Sequence, residues 1–474
     1  MGLLERFERT HWAGLALALL GCSVVSKPDY EECKTNGDCR DAFGFGWTCG
    51  GDGLCAAPVT NRRCATTFPE DLFTRPENYR NAVVLGSLMD HSSSTHQRRE
   101  RSSRLAAKQL DEERGIDGRA FAIVYCTYEE DLELDNLKTT DAAIASAHYL
   151  ADVIGVPAII GPAGSGDVSA VYQALRGSGV LVMSPSATSP ALTDLDSPAS
   201  DATPGLLWRT APPDTLQGPV IAQDMTARGI SEVLVIAQKG AYGEGLATVF
   251  QQAFAGTASV RPFGTENERT AAVTEGASAA APEILFISSA QPDVVAFLAA
   301  ASANPGYENK TFFLTDSAAN KEVVDQVPAA LLDRIRGTRP TPVDSRDPVF
   351  NNFRSSYVSE YAEDVTAFSF TAHTYDASWL VFYGSAWSSI QEHRITGVGI
   401  ARGLRKISNG RELYIQPLTW GSVLETFRSG AGINVRGASG NLDYDPSTEE
   451  TTAQIQVWVI RPAAAGGYEV QPAG

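Results

Sequence analysis

The sequence contains few basic residues and no basic cluster. It has 38 lysines and arginines against 56 aspartates and glutamates, a formal net charge of -18 and a pI near 4.8. Nucleic-acid phosphates are bound by clustered lysine and arginine, so this composition excludes nucleic acid as a partner. The short run Arg98, Arg99, Arg101 and Arg104 is interrupted by Glu100, and we interpret it as a solvent-exposed helix face.

Histidine is also scarce, and no arrangement of catalytic or metal-binding residues is evident. The six histidines form neither an HExxH motif nor another paired metal-ligand spacing. His91 and His96 flank the polar stretch SSST, but nothing marks an activated serine there. We therefore predict no catalytic residues, no metal, no cofactor and no enzymatic activity.

The chain lacks an apolar run of about 20 residues, the length that a helix needs to span a bilayer. The shorter run WAGLALALL, Trp12 to Leu20, is typical of a secretory signal peptide, which we assign to residues 1–21. LLGC, ending at Cys22, resembles the lipobox of bacterial lipoproteins and implies lipidation of Cys22. The alternative is ordinary signal cleavage with a structural Cys22. We expect an exported protein anchored in the cell envelope by its lipid alone and facing the periplasm. Ser23, where a retention aspartate is missing, favours the outer membrane.

Five cysteines are concentrated in a short segment rich in glycine and aspartate: Cys33, Cys39, Cys49, Cys55 and Cys64. In an exported segment too small for a hydrophobic core, such a cluster indicates a disulfide framework. A zinc site is the competing interpretation, but the segment has no CxxC spacing and no histidine. With Cys22 reserved for the lipid, Cys126 remains. A Cys64–Cys126 bond would tie the small module to the next domain, but sequence leaves the pairing open. We assign residues 22–80 to the lipid anchor, a linker and this cysteine-rich module.

From residue 81 onward, continuous apolar runs alternate with amphipathic stretches. AFAIVYC at 120–126 and VPAIIGP at 156–162 are each followed by a segment of helical periodicity. Such alternation predicts an α/β fold with parallel sheets covered on both faces. It restarts after LWRTAPPDTLQGP, residues 207–219, with EVLVIAQ, EILFIS and TFFLTD as strands of a second unit. We therefore predict two similar lobes between which the chain crosses more than once.

A glycine-rich turn joins a strand to a helix in AIIGPAGSGDVSAVYQAL, residues 158–175. Such a turn directs free N–H groups and the positive end of the helix dipole at an anion. A dinucleotide fingerprint would need glycine at Ala163, and a P-loop would need lysine at Asp167. The pattern therefore favours a smaller anion, such as a carboxylate, held by Ser165 and neighbouring amides. The alternative is an ordinary turn with Asp167 as the helix cap.

The next strand ends in MSPSATSP, residues 183–190, which is rich in hydroxyl groups. Ligands of open parallel sheets bind in the crevice beyond the carboxyl ends of the strands, so both turns are expected to face one crevice. In the second lobe, Tyr242 in GAYGEG and Asp316 at the end of TFFLTD lie at the equivalent edge. A carboxylate-binding side opposite an isolated acid suits an amino acid.

These segments resemble type I periplasmic binding proteins of the leucine/isoleucine/valine-binding class. The resemblance is carried by IIGPAGSGDVSAVYQALRGSGVLVMSPSATSPALT, LWRTAPPDTLQGPVIA, VIAQKGAYGEGLA and HTYDASWL, which occur in the family's order between residues 81 and 460. It implies two Rossmann-like lobes with parallel sheets, joined by a hinge of three crossover strands. We expect one lobe at 81–209 plus about 338–400, and the other at 210–337 plus about 401–474.

The resemblance also implies a role for each of five residues. Ser165 is at the position that binds the ligand's α-carboxylate. Ser186 and Thr188 are at positions whose backbone and hydroxyl groups contact the carboxylate and the amine. Tyr242 is at the position of an aromatic residue that covers the ligand, and Asp316 is at that of an acid that pairs with the α-ammonium.

The expected function is that of an extracytoplasmic solute-binding lipoprotein of an ABC-type uptake system. It would bind a branched-chain or other amino acid, or a related amide, between its lobes and deliver it to an ABC permease. Ala290 stands near the place of a second pocket aromatic in the family, which enlarges the expected pocket. The alternative is an envelope lipoprotein that uses the same fold as a protein-interaction or sensor module, without small-molecule transport. The cysteine-rich module lies outside the resemblance.

Overall fold

The computed structural model describes residues 31–196, 200–344, 346–464 and 466–473. The predicted signal peptide and Cys22 lie outside these residues, so export and lipidation stay predictions. In the described part of the chain, no helix combines the length and the apolar character needed to cross a membrane.

The cysteine-rich module is a small disulfide-linked unit. It consists of one helix and a two-stranded hairpin: α1 (Asn36–Phe43), β1 (Thr48–Cys49) and β2 (Cys55–Ala56). Disulfides join Cys33 to Cys49 and Cys39 to Cys55. The predicted disulfide framework is thus confirmed. Because these four sulfur atoms are bonded to one another in pairs, none of them is available as a thiolate ligand for zinc.

The third disulfide attaches the module to the first of two large sheets. It joins Cys64 to Cys126, the pairing that the sequence left open. Nearby, Arg40 Nη2 donates a hydrogen bond of 2.8 Å to the carbonyl of Ile154. Covalent and polar contacts therefore hold the module against this sheet.

The first sheet has six strands: β3 (Thr66–Phe68), β4 (Val83–Met89), β5 (Phe121–Thr127), β6 (Ala158–Ile160), β7 (Leu181–Ser184) and β8 (Leu207–Arg209). Three helices connect them: α2 (Ser94–Glu112), α3 (Thr139–His148) and α4 (Ser165–Ala174). The strand order is β3-β5-β4-β6-β7-β8, and only β3 runs antiparallel to its neighbour. All residues of β5 are buried, as expected for a strand between two covered faces.

The second sheet begins with five parallel strands: β9 (Glu232–Gln238), β10 (Thr257–Phe263), β11 (Glu283–Ile287), β12 (Thr311–Leu314) and β13 (Ile335–Pro340). Its helices are α5 (Asp214–Ala227), α6 (Ala241–Ala253), α7 (Glu266–Ser278), α8 (Gln291–Ala303) and the single turn α9 (Lys321–Val324). The sheet repeats the alternation seen in the first, as the sequence predicts.

Residues 348–451 form further helices and short strands. The helices are α10 (Pro348–Tyr361), α11 (Thr371–Glu392), α12 (Gly397–Leu404) and α13 (Trp420–Arg428). The strands are β14 (Arg411–Tyr414), β15 (Ile433–Gly437), β16 (Gly440–Asn441), β17 (Tyr444–Asp445) and β18 (Glu450–Thr451). Helix α11 is buried along most of its length because it lies between the first sheet and these elements.

Two late strands complete the second sheet: β19 (Ile455–Pro462) and β20 (Tyr468–Pro472). Its order is β10-β9-β11-β12-β13-β19-β20, with the last two strands antiparallel to their neighbours. The chain passes between the sheets after β8, after β13 and after β18, through residues 210–213, 341–344 with 346–347, and 452–454. The predicted fold class, two lobes with largely parallel sheets and three crossovers plus a cysteine-rich module, is confirmed.

The packing differs from the lobe boundaries that we expected. Buried apolar residues of the stretch expected in the second lobe, among them Trp420, Ile433 and Val435, share one hydrophobic core with strands of the first sheet. Strand β3, assigned to the module, also belongs to that sheet. Only β19 and β20 bring the end of the chain into the second sheet. We propose that the first lobe comprises 66–209 and 348–451, and the second 214–340 and 455–473.

Candidate ligand-binding cleft

A cleft of about 1010 Å³ lies between the two lobes. Residues that follow β4, β6 and β7 line one side, and residues that follow β9, β11 and β12 line the other. Four of the five predicted site residues contribute to its walls: Ser165, Ser186, Tyr242 and Asp316. Ala290 lines it as well. The structure thus brings these positions to one cleft, while their roles toward a ligand stay predictions.

Ser165 is the first residue of α4, where the chain turns out of β6 through a glycine-rich loop. Its Oγ accepts hydrogen bonds of 3.2 Å from the backbone N–H groups of Thr188 and Ser189. The Ser165 hydroxyl proton has no acceptor among the described residues, so it is free to bind a ligand. The start of α4 adds the positive end of a helix dipole to this wall.

Thr188 does not line the cleft. It is buried, its N–H is bonded to Ser165, and its hydroxyl donates to Asp214 Oδ2 at 2.9 Å. Ser186 does line the cleft, where its hydroxyl donates to the carbonyl of Ala163 at 3.0 Å. Thr188 therefore supports the wall in this structure, with both of the groups expected to meet the ligand already hydrogen-bonded.

Tyr242 and Asp316 meet on the wall of the second lobe. Tyr242, in the first turn of α6, donates its hydroxyl to Asp316 Oδ1, and its oxygen lies within hydrogen-bond distance of the Thr315 hydroxyl at 2.8 Å. Gln217 Nε2 lies 3.4 Å from the same Asp316 oxygen. Burial raises the pKa of Asp316, and the hydrogen bonds from Tyr242 and Gln217 oppose that rise. A carboxyl that is poorly solvated without a ligand is suited to gain from a cation placed beside it.

Asp214, which the sequence analysis did not single out, lies behind Asp316. It is fully buried as the first residue of α5, and its Oδ1 has no hydrogen-bond partner among the described residues. Burial, followed by the negative charge of Asp316, raises the pKa of Asp214 well above its ordinary value. The signal was available in TAPPDTLQGP, where an acid follows two prolines at the start of a helix. Asp214 therefore holds its proton more tightly than an ordinary aspartate does.

Arg99 corrects our interpretation of the arginine run as a solvent-exposed face. Its residue is only 6% exposed, and its guanidinium lines the cleft. Arg98 is partly buried as well. The missed signal is helical periodicity, since Ser102, Ser103 and Ala106 lie three, four and seven residues beyond Arg99 and are all buried. Residues at these spacings lie on the same side of a helix, so Arg99 shares the buried face of α2 with these small residues.

Hydrogen bonds also join the two lobes across the mouth of the cleft. Glu322, in α9 of the second lobe, accepts from Ser94, from Thr95 at 3.0 Å and from Arg98 at 2.9 Å, all in α2 of the first lobe. Arg98 also contacts Glu363 at 2.7 Å. These contacts hold the lobes in a closed arrangement around the cleft.

We expect Glu322→Ala to open the ligand-free protein. The variant removes three hydrogen bonds between the lobes, one of them charged, and weakens closure by about 1–2 kcal/mol. Small-angle X-ray scattering should show a larger radius of gyration, and ligand affinity should fall about 5- to 30-fold. Glu360→Gln is the matched control, because Glu360 pairs with Lys108 at the surface within the first lobe. Unchanged scattering for Glu322→Ala would contradict the view that the hydrogen bonds to Glu322 hold the two lobes together.

Comparison with protein families gives one match that spans most of the chain. The family model described as "Receptor family ligand binding region" matches residues 98–461. No curated protein matched the chain. The matched residues include most of the residues that line the cleft and all three crossings between the sheets.

Solved structures with the same fold include three solute-binding proteins. The branched-chain amino acid transporter substrate binding protein LivJ from Streptococcus pneumoniae, in complex with isoleucine, is 19% identical, with a TM-score of 0.61 over 83% of this chain and 100% of its own. The leucine binding protein LivK from Thermotoga maritima is 17% identical, with a TM-score of 0.63 over 82% of this chain and 98% of its own. An ABC transporter solute binding protein from R. palustris, in complex with 4-hydroxybenzoate, is 14% identical, with a TM-score of 0.64 over 83% and 96%.

These likenesses establish the fold, and the family match establishes membership. The resemblance to type I periplasmic binding proteins, first drawn from four sequence segments, is confirmed by both. The chain belongs to the receptor family ligand binding region, with the two-lobed fold of the type I periplasmic binding proteins.

Proposed function

We propose that this protein is the solute-binding component of an ABC-type uptake system and takes an amino acid, branched-chain or other, or a related amide into the cleft. The observation that carries the proposal is the polarity of the two walls. The first lobe presents the free hydroxyl of Ser165 and the start of α4, whereas the second presents the buried acid Asp316, with Asp214 close behind it. A molecule with a carboxylate at one end and an ammonium at the other satisfies both walls.

Charge and space support an amine at the second lobe. Tyr242 holds Asp316 by a hydrogen bond, and Asp214 Oδ1 has no hydrogen-bond partner among the residues that the structure describes. A bound ammonium would compensate both carboxyls, each of which is costly to bury ionised. Ala290 leaves room on the same side for a ligand side chain. Binding would stabilise the closed lobes, since affinity for the closed state drives a hinge of this kind.

The cellular setting is proposed from the sequence. The LLGC segment supports a lipid anchor at Cys22, Ser23 supports the outer membrane, and export fits the three disulfides. Delivery to an ABC permease in the inner membrane would then follow release of the ligand. An envelope module that binds proteins without a small ligand is the competing function, and it has no use for the opposed polar walls.

A thermal-shift screen tests the proposal. Purified protein, unfolded and refolded with its disulfides intact to remove carried ligand, would be mixed with each common amino acid and its amide. A ligand present at about 100 times its Kd should stabilise the protein by roughly 2.7 kcal/mol. Asp316→Asn should abolish the shift because it removes the charge that meets the ammonium. Asp333→Asn, an exposed acid of the second lobe, should behave like the wild type. No shift with any compound would favour the protein-interaction module.

A further inference from the structure

We propose that Arg99 binds a carboxylate of the ligand, so that the cleft selects acids over their amides. This inference rests on the proposed function and narrows it, because that function admits amides as well as acids. The residue types that the family resemblance assigned to the carboxylate, Ser165, Ser186 and Thr188, do not include an arginine. Arg99 differs from the other buried arginines in its lack of a carboxylate partner among the described residues.

Three arginines of the described chain are buried: Arg63, Arg99 and Arg209. Arg63 is paired with Asp135, and Arg209 with Glu450. Arg99 forms no ion pair with any carboxylate of the described residues, although it is only 6% exposed. A guanidinium stays charged at all physiological pH values, and burying such a charge without a counter-ion is costly. The cleft therefore contains a buried cation that has no ion-pair partner among the described residues.

The hydrogen bonds of Arg99 leave part of its binding capacity unused. Nε and Nη2 donate to the carbonyl and hydroxyl of Ser369 at 3.1 and 3.3 Å, and Nη1 donates to Ser186 Oγ at 3.0 Å. A guanidinium has five N–H donors, so two have no partner among the described residues. The Phe370 ring lies 5.1 Å from the guanidinium carbon. The side chain is thus held in one orientation, and its two unpartnered N–H groups are available to a ligand in the cleft.

No residue of the described chain forms an ion pair with Arg99. The charge of Asp316 reaches Arg99 from the opposite lobe, but Asp316 lies beyond ion-pair distance and is already bonded to Tyr242. His373, which packs against Phe370, is neutral, since burial and the charge of Arg99 lower its pKa to about 3. A ligand whose carboxylate meets Arg99 and whose ammonium meets Asp316 would bridge the two lobes and neutralise both charges.

Arg99 also supplies hydrogen-bond donors that Thr188 does not offer to a ligand. The N–H and hydroxyl of Thr188 are engaged by Ser165 and Asp214, so the wall of the first lobe offers fewer neutral donors than the resemblance implied. Charge-assisted hydrogen bonds from a guanidinium are stronger than those from neutral donors and are often bidentate to a carboxylate. An amide offers one neutral acceptor in place of two charged ones, so the wall should discriminate against it.

The test uses matched pairs of acids and amides with titration calorimetry. Leucine and leucinamide, glutamate and glutamine, and benzoate and benzamide would be titrated into the wild type, Arg99→Met and Arg99→Lys. Arg101→Met, on the same helix but 43% exposed at its side chain, is the control. We expect at least one acid to bind the wild type about 10- to 150-fold more tightly than its amide. Arg99→Met should lose that preference, Arg99→Lys should keep part of it, and Arg101→Met should keep all of it.

The outcomes separate this inference from the function on which it rests. If every amide that binds the wild type binds as tightly as its acid, the role of Arg99 is overturned while solute binding stands. The same follows if Arg99→Met keeps the wild-type preference. If Arg99→Met does not fold, an Arg99→Lys variant with unchanged preference for the acid also overturns it. If no compound of this panel or of the amino-acid screen binds the wild type, the proposed function fails together with the inference.

Discussion

Replacing Asp214 by asparagine is expected to stabilise the ligand-free protein at neutral pH and to weaken ligand binding. Asp214 is fully buried beside Asp316, and its Oδ1 has no hydrogen-bond partner among the described residues. An unsatisfied buried polar group costs about 1–3 kcal/mol, more when it is charged. The helix dipole at the start of α5 stabilises the charged form of Asp214 by only about 0.3–1 kcal/mol. Asparagine can still accept the Thr188 hydroxyl, so we expect a net gain of about 1–2 kcal/mol.

The pH dependence follows from the direction of the pKa shift. Burial and the charge of Asp316 raise the pKa of Asp214 above its ordinary 3.8, so the folded chain keeps the proton at pH values where the unfolded chain has lost it. The contribution of Asp214 to the free energy of unfolding therefore falls as the pH rises above 3.8, and it stops falling once the pH exceeds the raised pKa of the folded protein. The gain from Asp214→Asn should be small near pH 4 and grow toward neutral pH. Urea denaturation at several pH values measures it.

Two further measurements make this result specific. Ligand affinity should fall about tenfold in Asp214→Asn, because one of the two acids that compensate the ammonium is lost. Asp224→Asn, in the same helix, should have the opposite effect on stability, since Asp224 forms ion pairs with Arg228 at 2.7 Å and with Arg336 at 2.6 Å. A loss of stability in Asp214→Asn at neutral pH would contradict the account of a strained acid pair.

Removing the Cys64–Cys126 disulfide should have the largest effect on stability. The double variant Cys64→Ser/Cys126→Ser opens a loop of 62 residues, for which chain entropy predicts a loss of about 4 kcal/mol. Both sulfurs lie in the same apolar core as Phe45, Leu72 and Val124, so the hydroxyls of serine would add a desolvation cost. We expect a lower midpoint in urea and faster amide exchange in β5, which pairs with β3 just after Cys64.

The matched control removes a disulfide inside the module. Cys33→Ser/Cys49→Ser opens a loop of 16 residues, for which the same relation gives about 3 kcal/mol. That loss should be confined to the module, leaving exchange in β5 unchanged. Equal exchange in β5 for the wild type and the Cys64/Cys126 double variant would show that the bond does not support the first sheet.

Local patterns were enough to predict most of the architecture. Apolar runs such as residues 120–126 become strands with both faces covered, because a run without polar residues has no face to offer to solvent. Tyr242 and Asp316 were found at strand ends, because parallel strands bring their carboxyl ends to one edge. Clustered cysteines predicted disulfides because an exported segment of this size is too small for a hydrophobic core, although six cysteines allow many pairings.

Those patterns did not predict the contacts between segments that are far apart in the chain. The stretch containing Ile433 and Val435 carries ordinary apolar periodicity, which shows that a face is buried but not against which sheet. Thr188 was predicted in the cleft and lies behind it, since its hydroxyl is taken by Asp214, 26 residues further along the chain.

Arg99 and Asp214 are the clearest examples of properties that the sequence patterns did not predict. By itself, the sequence determined two α/β lobes, a disulfide-bonded module and an acid opposite a hydroxyl-rich turn. Only the tertiary structure decided that Arg99 is buried with no ion-pair partner among the described residues and that the charge of Asp316 acts on the buried Asp214. The physical reason is that burial and charge compensation belong to the surroundings of a side chain, and here those surroundings come from two lobes whose contacts join residues far apart in the chain.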